Sequence, residues 1–420
     1  MKILLLSTYD FQGGAARAAY RLHQGLQSIN VNSSMLVQNK YTDDETVIAP
    51  STKLSKGFAK LKPNLDKLLL QLYPDCNRQF SPQWYPDAIA HKVSEINPDI
   101  INLHWVNAGY LKIETLAKFK KPIIWTLHDM WAFTGGCHYN QECDRYTKSC
   151  GACPQLKSFK EQDLSNWIWK RKANAWKNLN LTIITPSRWL AKCAESSSLF
   201  QHYPIEVIPN GIDIRTYKPV NRQVARNLLN LPQDKQLILF GAINATNDRR
   251  KGFHLLQQAL KILSANYNDK IELVIFGASK SANTLALNLK SHYFGKLSDE
   301  ISIALVYAAA DVFVAPSIQD NLPNTIMEAL ACGTPSVAFN IGGMPDMIEH
   351  QKNGYLAQSI DGKDLAQGIT WVLEDSERYR YLSNCARKKV EEKFTLEIQV
   401  KHYLNLFNKN YKKQNRYFYA

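Results

Sequence analysis

The sequence predicts an α/β protein made of two doubly wound parallel sheets, one after the other along the chain. Three observations carry this. Strand-like and helix-like hydrophobic patterns alternate, as they do when crossover helices link parallel strands. The chain has 420 residues, more than the roughly 250–300 that one core usually serves. The alternation is broken by Pro209-Asn-Gly-Ile-Asp213, with Pro219 beyond it, which is turn chemistry suited to a linker.

In order, the first series places strands at 2–7, 34–37, 99–104, 122–127, 182–185 and 206–208, with helical patterns at 15–28, 87–96 and 187–198 among them. A second series places strands at 236–240, 271–276, 311–314 and 336–338. No short-period repeat is present. The expected domains are 1–210 and 211–390, with a Cys-rich insertion at about 131–165 in the first. Residues 3–6 are too short an apolar run for a signal-peptide core and read as a first strand. No run approaches the ~18 apolar residues of a membrane span. The expected location is cytoplasmic.

In open sheets of this kind ligands sit at the carboxyl ends of the strands, so those loops are where chemistry is expected. The most informative one is Asp320-Asn-Leu-Pro-Asn-Thr-Ile-Met-Glu328, followed by Ala329-Leu-Ala-Cys-Gly-Thr-Pro335. Pro323 and Asn324 mark a helix start and Gly333 its stop. A helix N-terminus here suits a phosphate. Glu328, one turn in, can accept hydrogen bonds from vicinal hydroxyls such as those of a ribose. A lone acidic pair at this spacing is most often a solvated helix face; the whole string is far more specific.

This segment resembles the donor-binding signature of the retaining glycosyltransferases of family 4, the glycosyl transferases of group 1. Their pattern is an acidic pair spaced E-x7-E, then a small-residue helix, then Gly-x-Pro; here Asp320 replaces the first Glu. The resemblance implies the GT-B fold, two Rossmann-like domains facing across a cleft, with residues after about 390 returning to the first domain. It implies a nucleotide-sugar donor at Asn321, Leu322, Pro323, Asn324, Thr325 and Glu328, and sugar contact by Asp320. The family expects Gly-Arg after the strand at 236–240 and Lys-Gly at the next helix start, both cations holding the diphosphate. Ala242 follows Gly241, so that Arg is absent; Arg249-Arg250-Lys251-Gly252 keeps the Lys at Lys251 and offers Arg250 as replacement. Gly13 and Gly14 open the first helix, where the family carries a glycine loop facing the donor. His128 matches a family His that orients the transferred sugar, with His104 the second candidate and Asp129 expected to fix its tautomer or cap the next segment. Gly277, in Phe276-Gly-Ala-Ser279, and the loop Gly342-Gly-Met-Pro-Asp346 belong to the site by position. The catalytic set implied is His128, Lys251, Asp320 and Glu328.

No D-x-D occurs in the sequence, and basic residues stand in the phosphate loop, so transfer is expected to need no metal or other catalytic cofactor. There is no G-x-S-x-G and no evident Cys–His pairing at a strand end. A nucleotide-sugar epimerase would need further cleft carboxylates. A degenerate, membrane-associated scaffold would fit Asp320 and Ala242 but not the retained Lys251 and Glu328.

Four cysteines cluster at Cys137, Cys143, Cys150 and Cys153, the last two spaced C-x2-C. In a cytoplasmic chain this spacing points to a structural zinc site; the competing reading is small buried side chains. The net charge of +14 is concentrated where lysines mix with apolar residues, at 52–73, 166–177 and 403–419. Such stretches suit an anionic membrane surface. Otherwise the apolar residues face the core and the lysines face water. No nucleic-acid module is present, and nucleic acid is not an expected partner. The acceptor implied is a glycan or a lipid-linked molecule.

Overall fold

A computed structural model describes residues 1–76, 79–241, 248–267, 269–278, 289–358 and 360–418. The chain divides into two compact units, residues 1–209 with 399–420, and residues 210–398.

Among the described residues the first unit is built on seven strands: β1 (Lys2–Tyr9), β2 (Asn32–Asn39), β3 (Val47–Ile48), β4 (Ile100–Leu103), β5 (Ile123–Thr126), β6 (Leu181–Thr185) and β7 (Ile205–Val207). Their order is β3-β2-β1-β4-β5-β6-β7 and every pairing is parallel. β4, β5 and β6 are buried along their whole length, which is why their sequences are continuous apolar runs rather than alternating ones. The helix Gly14–Ser28 crosses from β1 to β2 and lays Ala18, Ala19, Leu22 and Leu26 on the sheet. From Gln399 onward the last helix, Leu396–Phe418, belongs to this unit. It buries Val400, Tyr403, Leu406 and Phe407, and the Tyr403 hydroxyl sits 2.9 Å from Thr126 Oγ1.

Among the described residues the second unit has six parallel strands: β8 (Gln236–Gly241), β9 (Ile271–Phe276), β10 (Ser291–Tyr293), β11 (Val312–Ala315), β12 (Ser336–Phe339) and β13 (Gly354–Ala357), ordered β10-β9-β8-β11-β12-β13. Buried Asp311 ties the strand starts together. Its carboxylate accepts from Arg226 Nη2 at 2.6 Å, Arg222 Nη1 at 2.7 Å and the Leu237 amide at 2.6 Å.

In each sheet the strand order reverses beside the first strand of its series, between β1 and β4 and between β8 and β11. At such a point the two crossovers leave on opposite faces and open a crevice at the carboxyl ends. The loops that follow β1, β4, β8 and β11 lie at these points, while His128 follows β5 and Gly277 follows β9.

Candidate functional site

In the second unit the residues after β8 and β11 meet. Arg249–Lys251 form one short helical turn, begun by Asp248, whose carboxylate accepts the Arg250 amide at 3.0 Å. Lys251 Nζ donates to Asp320 Oδ2 at 2.6 Å, and Arg250 Nη1 lies 3.2 Å from the same oxygen. Arg250 Nη1 also donates to the Gln319 carbonyl at 2.9 Å. Burial alone would raise the Asp320 pKa, but the Lys251 and Arg250 charges outweigh it and hold the carboxyl well below the usual range. Arg250 Nη2 also lies 3.3 Å from Asp248 Oδ2, so the cluster pairs two cations with two carboxylates, Asp320 sitting between Lys251 and Arg250.

Backbone contacts fix this arrangement. The Ile318 amide donates to Arg250 O at 2.9 Å, and the Gly343 amide to Asp320 O at 3.1 Å. Two glycines permit the approach. Gly252 has φ +71°, and a Cβ there would stand 1.8 Å from the Pro316 carbonyl oxygen. Gly342 has φ +54°, and its Cβ would stand 2.2 Å from the Asp320 carbonyl oxygen.

The helix Asn324–Ala331 begins after Pro323 with no side-chain cap. Asn324 Oδ1 accepts from Asn210 Nδ2 at 3.2 Å, tying the helix start to the turn that opens this unit. Asn324 and Thr325 are half-buried, Asn321 is buried, and Leu322 is packed into the core. Glu328 is buried, and the Tyr307 hydroxyl donates to its Oε2 at 3.2 Å. Gly277 follows β9 with φ +80°, its amide donating to Gly295 O at 2.6 Å.

The first unit places two histidines side by side where β4 and β5 end. Their rings stack with centroids 5.3 Å apart, and His104 Nδ1 is 3.0 Å from His128 Nε2. Asn102 decides the proton positions. Its Nδ2 donates to Ile124 O at 2.9 Å, so its Oδ1 is the atom 3.0 Å from His104 Nε2. His104 must then donate from Nε2 and accept at Nδ1, and His128 donates from Nε2. Burial lowers the His128 pKa to about 4 against the opposing pull of Asp129, and burial with the His128 neighbour takes His104 well below its ordinary value. Both imidazoles are neutral at pH 7.

Asp129 does not set the His128 tautomer; His104 does. Asp129 caps the next segment, accepting the Trp131 amide at 2.9 Å, and its other oxygen takes Trp105 Nε1 at 2.9 Å and His138 Nδ1 at 2.6 Å. His138 Nε2 in turn lies 2.9 Å from Ser81 Oγ. Gly13 precedes the helix that Gly14 opens, with φ +103° and its carbonyl accepting the Arg17 amide at 3.0 Å.

Residues 222–389 match the family Glycosyl transferases group 1, and residues 12–216 match Glycosyltransferase Family 4. The chain belongs to the group 1 glycosyltransferases. WcaC of Escherichia coli (strain K12), named for colanic acid biosynthesis as a glycosyl transferase, is 26% identical over 409 residues, covering 90% of this chain and 95% of that protein. Spore coat protein SA of Bacillus subtilis (strain 168) is 28% identical over 248 residues, which are 54% of this chain and, at 65%, just under two thirds of that protein. The sucrose-phosphate synthase structure from Thermosynechococcus elongatus superposes with a TM-score of 0.71 at 18% identity, covering 98% of this chain and 100% of that one. The fold is GT-B, two Rossmann-like units.

Within the group 1 pattern, Ala242, at the position of the missing Arg, lies outside the described residues, as does Ser279. Arg250 shares Asp320 with Lys251. Cys137, Cys143, Cys150 and Cys153 line one cavity. Among the described residues, however, no three or more His, Cys, Asp or Glu side chains are arranged to hold a metal ion, so the structure does not support the expected zinc site. Burial pushes the Cys150 thiol up to about 12 and raises Cys137 and Cys153 as well, so these three are protonated at neutral pH. Buried Lys172 beside them donates to Thr134 O at 3.0 Å and to Trp131 O. Sequence reasoning missed the part played by Asn102 and Tyr307. Both are polar residues that nothing but their place beside a site residue would single out.

Proposed function

We propose that this chain moves a sugar from a nucleoside diphosphate donor to a hydroxyl of a glycan or lipid-linked acceptor, with retention of configuration and without a metal. The observation that carries the reading is the cluster of Lys251 and Arg250 on Asp320, set beside an uncapped helix start and buried Glu328. Lys251 and Arg250 bring an ammonium and a guanidinium within reach of a diphosphate, and the amides at the helix start add donors. Glu328, one turn in, suits the ribose hydroxyls. In the step itself the bond from the sugar C1 to the phosphate oxygen breaks as the acceptor oxygen bonds to C1 on the same face. The acceptor proton passes to the leaving phosphate, and Lys251 and Arg250 stabilise the charge that develops there.

The test is thermal stabilisation by a panel of nucleoside diphosphates and nucleotide sugars, on the native chain and on Glu328→Ala. A shift with one nucleotide, lost in the variant, supports the donor site and names the base. No shift with any nucleotide in folded protein would overturn the reading.

A further inference from the structure

Of the three basic, apolar-rich stretches, two pack as ordinary core. The helix Leu164–Trp176 buries Ile168, Trp176 and even Lys172, and the last helix buries Tyr403 and Phe407; the side chains of Arg416, Tyr417 and Phe418 lie outside the described residues. The helix Lys53–Asp66 is the reverse. Leu54, Phe58 and Leu61 recur at i, i+4 and i+7 and face solvent, 88%, 43% and 56% exposed. The short turn that follows, Lys67–Leu72, continues the pattern with Leu68 and Leu72, 43% and 76% exposed.

The inward face carries the small and polar residues instead. Ala59 and Asp66 are buried. The Lys62 carbonyl lies so close to Gly109 that a Cβ there would stand 2.7 Å from it. Asp66 O accepts Trp84 Nε1 at 3.0 Å. Lys53, Lys56 and Lys60 run along the remaining face, also exposed. The segment from Lys53 to Leu72 holds five lysines and one acid, and that acid is the buried Asp66.

We propose that the helix Lys53–Asp66 and the turn after it dock on an anionic lipid surface, leucines and Phe58 entering the interface and the lysines meeting the headgroups. An apolar stripe beside a lysine stripe is the composition of an interfacial helix. A water-facing leucine row has no such use in a soluble core helix. Charge favours lipid over a second copy of the chain, because two copies meeting at this face would bring their lysine rows together. The proposal needs neither donor nor acceptor, so it stands or falls apart from the transferase reading.

The experiment is co-sedimentation of the full chain, without nucleotide, with vesicles of phosphatidylcholine alone or in equal parts with phosphatidylglycerol. Binding is expected to the anionic vesicles only and to weaken with added salt. Leu54→Ser/Phe58→Ser/Leu61→Ser and Lys53→Glu/Lys56→Glu/Lys60→Glu should each weaken it about tenfold or more. All six side chains are exposed, so melting temperatures should match the native chain and separate lost docking from lost folding. Native chain that ignores anionic vesicles, or variants that bind as well as it does, would overturn the proposal. So would a native dimer that the leucine variant converts to monomer without any vesicle binding, since the face would then belong to a second copy.

Discussion

In the second unit the carboxyl ends of β8 and β11 gather Lys251, Arg250 and Asp320, all charged. In the first, the ends of β4 and β5 gather His104 and His128, both neutral. Both lie at the carboxyl ends of neighbouring parallel strands, and the electrostatics are opposite. The difference lies in what each group has for a partner. Asp320 is buried with two cations within 3.2 Å, so its charge is compensated and persists. His128 has a carboxylate next to it in sequence, but Asp129 spends its oxygens on His138, Trp105 and the Trp131 amide. Desolvation then wins and the imidazole stays neutral. A charged cluster suits an anion, and a neutral imidazole pair suits hydrogen bonding to uncharged groups.

The comparison breaks most readily at Gly252. Gly252→Ala puts a Cβ against the Pro316 carbonyl and forces the backbone that holds Lys251 to move. The expected cost is on the order of 3–4 kcal/mol, the range of severe single substitutions. Hydrogen exchange should show the loss in peptides of residues 210–398 and leave the first unit's β4 and β5 protected; equal protection in both units would mean the loop yields cheaply.

Lys251→Met removes charge without adding bulk. Nucleoside diphosphate affinity should fall about 100-fold, roughly 2.7 kcal/mol, measured by calorimetry. Asp320→Asn should act in the opposite sense. It removes the carboxylate that Lys251 and Arg250 share and leaves Asp248 beside Arg250, so the ligand-free protein melts earlier while the stabilisation by a diphosphate grows. If both variants weaken binding alike, the cluster is not an anion site.

The first unit is best probed with acid. The His128 pKa is about 4 in the folded chain and ~6.5 unfolded, so the unfolded chain binds more protons between these values. Its contribution is fully present above pH 6.5 and is lost as pH falls toward 4. At pH 5 the loss is about 2 kcal/mol for His128 alone. Asp320, with its depressed pKa, loses its contribution only below the ordinary carboxylate range. A denaturation series from pH 7.5 to 5 should therefore weaken the first unit before the second, and His128→Asn should flatten that slope.

Much of this arrangement was legible because buried parallel strands are written as apolar runs. β5 and β11 could hardly be read otherwise, and the loops after them follow by position. The edge strands β3, β10 and β13 were not legible. β3 has two residues, β10 is Ser-His-Tyr, and β13 opens on a glycine, so none offers a run long enough to stand out. The helix Lys53–Asp66 shows a different limit: periodicity finds the apolar stripe but says nothing about which way it points. Nor could spacing show that Asp129 turns away from His128, because both follow the same strand end and only the position of His138 decides.

The finest test of the comparison is His104→Phe. The ring stack on His128 can persist, since a phenyl ring is flat and of similar size, but the acceptor for His128 Nε2 is gone and so is the donor to Asn102 Oδ1. At pH 7 this leaves buried polar atoms unsatisfied, at a cost of about 1–2 kcal/mol. At pH 5 the cost should shrink, because the variant also deletes an imidazole that folding holds neutral against its tendency to protonate. The difference between native and variant stability should therefore narrow as pH falls, and nitrogen NMR of His128 should show the fixed Nε2–H form giving way to a mixture of tautomers. A constant difference across that range, with the His128 tautomer unchanged, would mean that His104 acts by packing alone and that something other than Asn102 and His104 orients the site.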